Sequence, residues 1–311
     1  MAAAALAGAG RRPGAPASAP ADGDGDSGVG PDLTKTAGPV IKYQPATPQQ
    51  IEAFRGKAEA WAEQTRKTIV KTMHLVETEH FLIYSAWARS NDKALKNICE
   101  RMYRAMCKQF DIPRSVNIWA GKCPIYVFWQ AEHFARFCTE VDRRGNPKAG
   151  GYCAYSGRGY VYIVVNRCRS RTRFYEVLVH EATHGFLARY KTNRHVPTWA
   201  NEGLAEYMAA TLVPGAWAGR KYVDATKAAV RGGQDVAHIF KGVRLNAFDY
   251  GVAQSLVRYL IKRDRKAFIK FIDVIKEGKT DEQALKSAFA LSHQELLDAW
   301  AKEASRKLRR R

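Results

Sequence analysis

The sequence contains no Cys-x-x-Cys pair, although six cysteines are present. Zinc ribbons and thioredoxin-type redox sites both depend on two cysteines at that spacing, so neither class of site is expected. The even number permits three disulfides if the protein is exported, and buried free thiols are an equally good interpretation. The cysteines are Cys99, Cys107, Cys123, Cys138, Cys153 and Cys168.

Long apolar runs are also missing. No segment reaches the roughly 18 continuous apolar residues of a membrane-spanning helix, so no transmembrane segment is expected. The initial Ala- and Gly-rich stretch carries no positive charge, and Arg11 and Arg12 follow it, which is the reverse of a secretory signal. The sequence leaves the compartment open, with an extracytoplasmic or envelope location slightly favoured.

Acidic residues are scarce relative to basic ones. The chain has 30 Asp and Glu against 50 Lys and Arg, which gives a formal net charge of +20. Such a surface favours an anionic polymer, a lipid headgroup or an acidic protein as partner, with nucleic acid the least favoured of the anions. The alternative is that the charge only keeps the protein soluble, because the basic residues are spread widely.

Composition and periodicity divide the chain into four parts. Residues 1–38 are rich in Ala, Pro, Gly and Asp, and we expect disorder because they contain too few large apolar groups to offset ordering. Residues 39–72 carry a helical pattern, 73–220 mix short strands with helices, and 221–311 predict helices alone. This order predicts an α+β fold in which a helical C-terminal region packs on the mixed α+β region 73–220.

Individual elements can also be predicted from apolar periodicity and from Gly and Pro breaks. The expected strands are 80–84, 125–128, 152–155 and 160–165. The expected helices include 134–141, 172–190, 222–231, 247–263, 266–276, 281–290 and 293–308, and another helix carries Glu202 and Glu206.

The most informative motif is the run His180-Glu181-Ala182-Thr183-His184 in the expected helix 172–190. Residues four apart lie on the same face of a helix, so His180 and His184 can bind one metal ion. Glu181 is rotated off their line, where it can reach a water on the ion without binding the ion itself. The run therefore predicts two metal ligands and a general base.

Two further carboxylates, Glu202 and Glu206, follow on the next expected helix. A set of two histidines and one glutamate leaves the fourth position of a tetrahedral zinc ion open to water, as catalytic zinc sites require. Glu202 is the expected third ligand. Glu206, one turn later, is expected to accept the remaining N–H of a ligand imidazole, His180 first among them.

The motif and the later stretch Trp199-Ala200-Asn201-Glu202-Gly203-Leu204-Ala205-Glu206-Tyr207 resemble the gluzincin zinc metallopeptidases, in which HExxH is followed by a Glu ligand on the next helix. A wider span, roughly 74–260, resembles bacterial peptidase MA-like proteins, including groups first described only as domains of unknown function. The resemblance implies a zincin-like catalytic unit with Zn²⁺ on His180, His184 and Glu202, and with Glu181 catalytic. Several gluzincins use a tyrosine from a later helix at the oxyanion, which makes Tyr250 the candidate here.

The chain departs from the aminopeptidases of that class. Their Gly-x-Met-Glu-Asn-type segment supplies an acid for the substrate amine, and the comparable segment Gly150-Gly151-Tyr152-Cys153-Ala154 has none. An aminopeptidase is therefore disfavoured. Gly151 and Tyr152 are instead expected in a strand at the cleft edge that pairs with a peptide backbone; the alternative is an ordinary hairpin strand.

Three functions are compatible with these motifs. The first is a zinc-dependent endopeptidase acting on a protein or peptide. The second is a catalytically silent zincin scaffold that binds an anionic polymer or an acidic partner. The third is a DNA-associated metalloprotease, which ranks last because such proteins usually add a Cys-x-x-Cys zinc ribbon.

Overall fold

The computed structural model describes residues 40–168, 170–242 and 244–309. The predicted disordered segment 1–38 lies outside the described residues. Within them the chain forms ten α-helices and one five-stranded mixed sheet, which confirms the mixed α and β composition expected from the sequence. No helix in this part of the chain combines the length and apolar character that crossing a bilayer requires.

The sheet has the strand order β1-β2-β3-β5-β4. Its strands are β1 (His74–Glu77), β2 (Phe81–Ser85), β3 (Cys123–Val127), β4 (Gly151–Tyr155) and β5 (Val161–Val165). The three inner strands run parallel, and the two outer strands, β1 and β4, are antiparallel to their neighbours. Strands were expected at the positions of β2 to β5, whereas β1 was not predicted.

Both faces of the sheet are covered, which explains why β2, β3 and β5 are buried along their whole length. One face packs with α1 (Pro48–Thr68) and α3 (Ala131–Arg136). The other packs with α2 (Asp92–Gln109) and α4 (Arg171–Arg189). The helix expected at 134–141 is corrected: α3 begins earlier and continues as a π-helical segment, Phe137–Asp142.

The remainder of the chain is helical. Its helices are α5 (Thr198–Leu212), α6 (Trp217–Gly232), α7 (Ala247–Arg263), α8 (Arg265–Lys276), α9 (Asp281–Phe289) and α10 (His293–Arg309). Most bounds agree with the sequence pattern, but α6 begins well before the expected residue 222. A continuous apolar core joins these helices to the α4 face of the sheet, so the C-terminal helices pack directly on α4 and α5.

A close approach between α5 and α7 is made possible by Gly203. A Cβ built at this position would lie 2.5 Å from the Ala253 carbonyl oxygen and 2.7 Å from Val257 Cγ2, closer than atoms can approach. Because Gly203 directly follows Glu202, the same contact fixes the rotation of α5 about its axis.

We expect Gly203→Ala to lower the free energy of unfolding by about 1–3 kcal/mol, because the added methyl group pushes α5 from α7. Gly219→Ala on α6 is the matched control: its Cβ meets nothing closer than Ala210 Cβ at 3.9 Å, so it should stabilise its helix by about 0.5–1 kcal/mol. Urea unfolding of both variants measures the difference. Equal stability of the two would contradict the close packing described.

Candidate metal centre

Helix α4 carries the two histidines into the region between the sheet and α5. The Nε2 atoms of His180 and His184 are 3.0 Å apart, and their rings are nearly perpendicular. His184 is only 5% exposed. The i, i+4 spacing therefore brings both imidazoles to one point, as the sequence predicted.

Glu202 reaches the same point from α5. Its Oε2 atom lies 3.2 Å from His180 Nε2 and 3.4 Å from His184 Nε2. Ligands about 2.0–2.1 Å from a tetrahedral ion are separated from one another by about 3.3–3.4 Å. The three atoms thus have the spacing and the chemistry of three ligands of one divalent cation.

Electrostatics keeps this cluster together. Burial opposes a charge on Glu202, but the imidazoles of His184 and His180 hold the pKa of this carboxyl well below its usual range. Burial likewise works against a charged His184, yet the Glu202 carboxylate raises the pKa of His184 to about 9. A negative charge buried among neutral groups is costly, so this cluster attracts a proton or a metal cation.

Each imidazole is oriented through its other nitrogen. Asn201 Oδ1 lies 3.1 Å from His184 Nδ1, and Glu206 Oε1 lies 3.5 Å from His180 Nδ1. Acceptors at Nδ1 favour the tautomer whose Nε2 lone pair is free to bind a metal. Glu206 lies where the sequence predicted. Asn201 was missed, because its role depends on where α5 meets α4 and not on any spacing in the chain.

Glu181 lies beside this cluster, buried at 4% exposure. Burial raises the pKa of its carboxyl, and the Cys153 backbone N–H of β4 donates a hydrogen bond to it. The Oε2 atom has no hydrogen-bond partner within the described residues. An unsatisfied buried oxygen next to a candidate metal centre is suited to accept a proton.

A cleft lined by His180, Glu181 and Glu206 lies beside this cluster. The edge strand β4 runs along this cleft, and its side chains alternate between the cleft face and the opposite face of the sheet. Gly151 lines the cleft, and a Cβ built there would lie 3.5 Å from Glu181 Cγ.

In an antiparallel pair of strands, every second residue directs its N–H and C=O toward the neighbouring strand. The Asn166 N–H donates to the Gly150 carbonyl, so Gly150 and Tyr152 face β5. The main-chain groups of Gly151 and Cys153 therefore point away from β5.

The expectation for Tyr152 is corrected. Its side chain is 1% exposed, and its hydroxyl donates to Asp142 Oδ2 at 2.5 Å on the α3 face of the sheet. Strand alternation also pairs its main chain with Val164 of β5. Tyr152 therefore stabilises the sheet from the side opposite the cleft.

Tyr250, in the first turn of α7, does reach the cleft. The centroid of its ring lies 6.5 Å from that of His180. The same cleft is lined by Arg173, Glu176 and Lys221, which sequence reasoning did not select. Their positions depend on the packing of α6 and α7 against α4.

A second group of possible ligands is formed by Glu79, His80 and Glu100. Here the Glu100 carboxylate already contacts His80 Nδ1 at 2.8 Å and accepts from the His80 backbone N–H at 3.0 Å. The His80 ring also stacks on Tyr103. These contacts account for the group as part of the β2–α2 packing.

No family model matches the chain, and no curated protein matches it. The assignment of this site therefore depends on its geometry and chemistry.

We expect Asn201→Leu to weaken zinc binding by about 10- to 100-fold, because the His184 ring loses the acceptor that orients it. Asn201→Asp keeps an oxygen at the same place and should bind zinc at least as tightly as the wild type. Competition with a fluorescent zinc chelator measures both dissociation constants. Unchanged affinity in Asn201→Leu would show that His184 does not need this partner.

Proposed function

We propose that the protein is a gluzincin-type zinc metallopeptidase whose catalytic unit is zincin-like. The observation that carries the proposal is the convergence of His180 Nε2, His184 Nε2 and Glu202 Oε2 within 3.0–3.4 Å of one another. Structural zinc sites favour cysteines and four protein ligands, whereas this set offers three ligands beside an open cleft.

His180, His184 and Glu202 would hold the zinc ion. When bound, zinc polarises a peptide carbonyl and makes a water molecule more acidic. Glu181 supplies the general base: its Oε2 atom takes a proton from the attacking water and then gives it to the leaving amine. Its raised pKa favours the first transfer, because a more basic carboxylate takes a proton from water more readily.

A peptide substrate would lie along β4. The outward main-chain groups of Gly151 offer the hydrogen bonds of a sheet edge, and an extended peptide can add to that edge as a further strand. The segment 150–154 contains no acidic side chain that could bind the free amine of a substrate. This absence favours an endopeptidase over an aminopeptidase.

Tyr250 is proposed to stabilise the oxyanion. Its ring lines the same cleft as Gly151, with its centroid 6.5 Å from that of His180, and a phenolic O–H there can donate to the oxygen on which charge develops.

The second candidate function is a catalytically silent scaffold that binds an anionic polymer or an acidic partner. The net charge of +20 favours it. Glu181 argues for the enzyme, because burying a carboxylate oxygen without a partner is costly and metal binding alone does not require it.

The general base is tested by Glu181→Gln. We expect purified wild-type protein to contain about one zinc per chain and to hydrolyse casein in a chelator-sensitive manner. The variant should keep its zinc and lose at least about 10²-fold in activity, because glutamine cannot accept the proton. Glu282→Gln on the exposed face of α9 is the control and should be fully active.

Undiminished hydrolysis by zinc-loaded Glu181→Gln would contradict the proposed role of Glu181. Zinc-loaded wild-type protein that binds acidic polymers but cleaves no peptide would favour the scaffold.

The oxyanion role is tested by Tyr250→Phe, which removes only the hydroxyl. We expect kcat to fall by about 10²-fold while KM and zinc content stay near their wild-type values. Steady-state hydrolysis of a fluorogenic peptide gives both constants. A wild-type kcat would leave Tyr250 as a packing residue of α7.

A further inference from the structure

One wall of the cleft is formed by side chains from α4 and α6 that the proposed peptidase mechanism does not use. Arg173 and Lys221 line this wall together with the carboxylate of Glu176. Beside them lies Trp217, which at 40% exposure is among the most exposed large apolar side chains of the described residues. Both cations lie near the face of its ring, at 5.6 and 4.6 Å from the centroid.

The charge of Arg173 is already matched. Its Nη1 atom lies 3.1 Å from Glu176 Oε2. Glu176 Oε1 in turn accepts the Ala218 N–H at 2.6 Å, in the first turn of α6. This buried carboxylate therefore joins α4 to α6 and fixes Arg173 as part of the wall.

Lys221 is held differently. Its ammonium lies 4.6 Å from the Trp217 ring and 4.8 Å from the Tyr250 ring. Within the described residues Lys221 has no ion pair and no side-chain hydrogen bond. Aromatic faces attract an ammonium but leave its three N–H donors unused. The donors of Lys221 are therefore available to an acceptor that enters the cleft.

The backbone at Lys221 is fixed by the contact of α6 with α7. A Cβ built on Gly251 would lie 2.8 Å from the Lys221 carbonyl oxygen and 2.5 Å from Ala225 Cβ. Only glycine permits this approach, which brings Lys221 and Tyr250 together at the cleft.

The carboxylates near Lys221 have closer partners of their own. Glu206 contacts His180, Glu202 contacts both histidines, and Glu176 contacts Arg173. Lys221 therefore presents a positive charge to the cleft that no carboxylate of the described residues contacts.

We propose that Lys221 and Trp217 form a substrate subsite for a carboxylate, so that the enzyme prefers peptides with an acidic group close to the scissile bond. This inference rests on the proposed peptidase function. Tyr250 links the two sites, since its ring centroid lies 4.8 Å from Lys221 Nζ and 6.5 Å from the His180 ring centroid. An extended peptide advances about 3.3–3.6 Å per residue, so the acidic group belongs within about three residues of the cleaved bond. The exposed Trp217 ring packs against the methylene groups of that residue.

The test measures cleavage positions in denatured, undigested casein by mass spectrometry. For wild-type protein we expect Asp and Glu to be enriched at one position beside the cleaved bonds. Lys221→Met should lose the enrichment, with kcat/KM for an acidic peptide lowered about tenfold or more, because a hydrogen bond to a charged group is removed. Lys221→Glu should prefer Lys and Arg at that position. Arg220→Met, an exposed neighbour on α6, removes the same charge and should keep the wild-type preference.

A binding measurement separates this inference from the proposed activity. Zinc-loaded Glu181→Gln protein is titrated calorimetrically with three peptides: a blocked pentapeptide with central glutamate, its glutamine counterpart, and the glutamine peptide with a free C-terminal carboxylate. Tighter binding of the glutamate peptide supports a side-chain carboxylate, and tighter binding of the third supports a terminal one. Lys221→Met in the same background should remove either preference.

Cleavage without acidic preference, or the same preference in Lys221→Met, overturns the subsite and leaves the peptidase function standing. If wild-type protein cleaves nothing, the proposed function fails, and the titration still decides the subsite: equal affinity for all three peptides overturns it.

Discussion

The burial of the Glu202 charge against two imidazoles is the interaction on which the rest of the site depends. It requires α5 to lie against α4 at one depth and one rotation. Gly203 permits that rotation by admitting α7 at close range, and Asn201 and Glu206 hold the imidazoles so that both Nε2 atoms meet the carboxylate. The helices after α5 then complete the cleft, because α7 brings Tyr250 to the side of His180.

Local periodicity predicts a large part of this fold. Helix α7 has the bounds that its apolar pattern gives, 247–263, and α4 differs by one residue at each end. The pairing of His180 with His184 follows from helix geometry alone. Glu202 is different, because the loop 190–197 has no periodic pattern. Its selection depended on resemblance to gluzincins, and its position near both histidines is a property of the three-dimensional packing.

The features that the sequence predicted wrongly or missed are determined mainly by contacts between distant parts of the chain. Tyr152 was expected at the cleft because its strand, β4, was expected at the cleft edge. Side chains alternate along β4, however, and that of Tyr152 contacts Asp142 on the opposite face of the sheet. The short strand β1 is only half-buried and lacks a clear apolar alternation. Lys221 and Trp217 give no sequence signal, because a lysine and a tryptophan on an amphipathic helix are ordinary until α7 brings Tyr250 beside them.

The central claim is that one cation is shared by side chains of α4 and α5. Crystals of the zinc-loaded protein, measured with X-rays on either side of the zinc absorption edge, test it most directly. We expect a single strong anomalous peak at about 2.0–2.2 Å from His180 Nε2, His184 Nε2 and Glu202 Oε2. A peak on other residues, or one bound by the two histidines with Glu202 turned away, would contradict it.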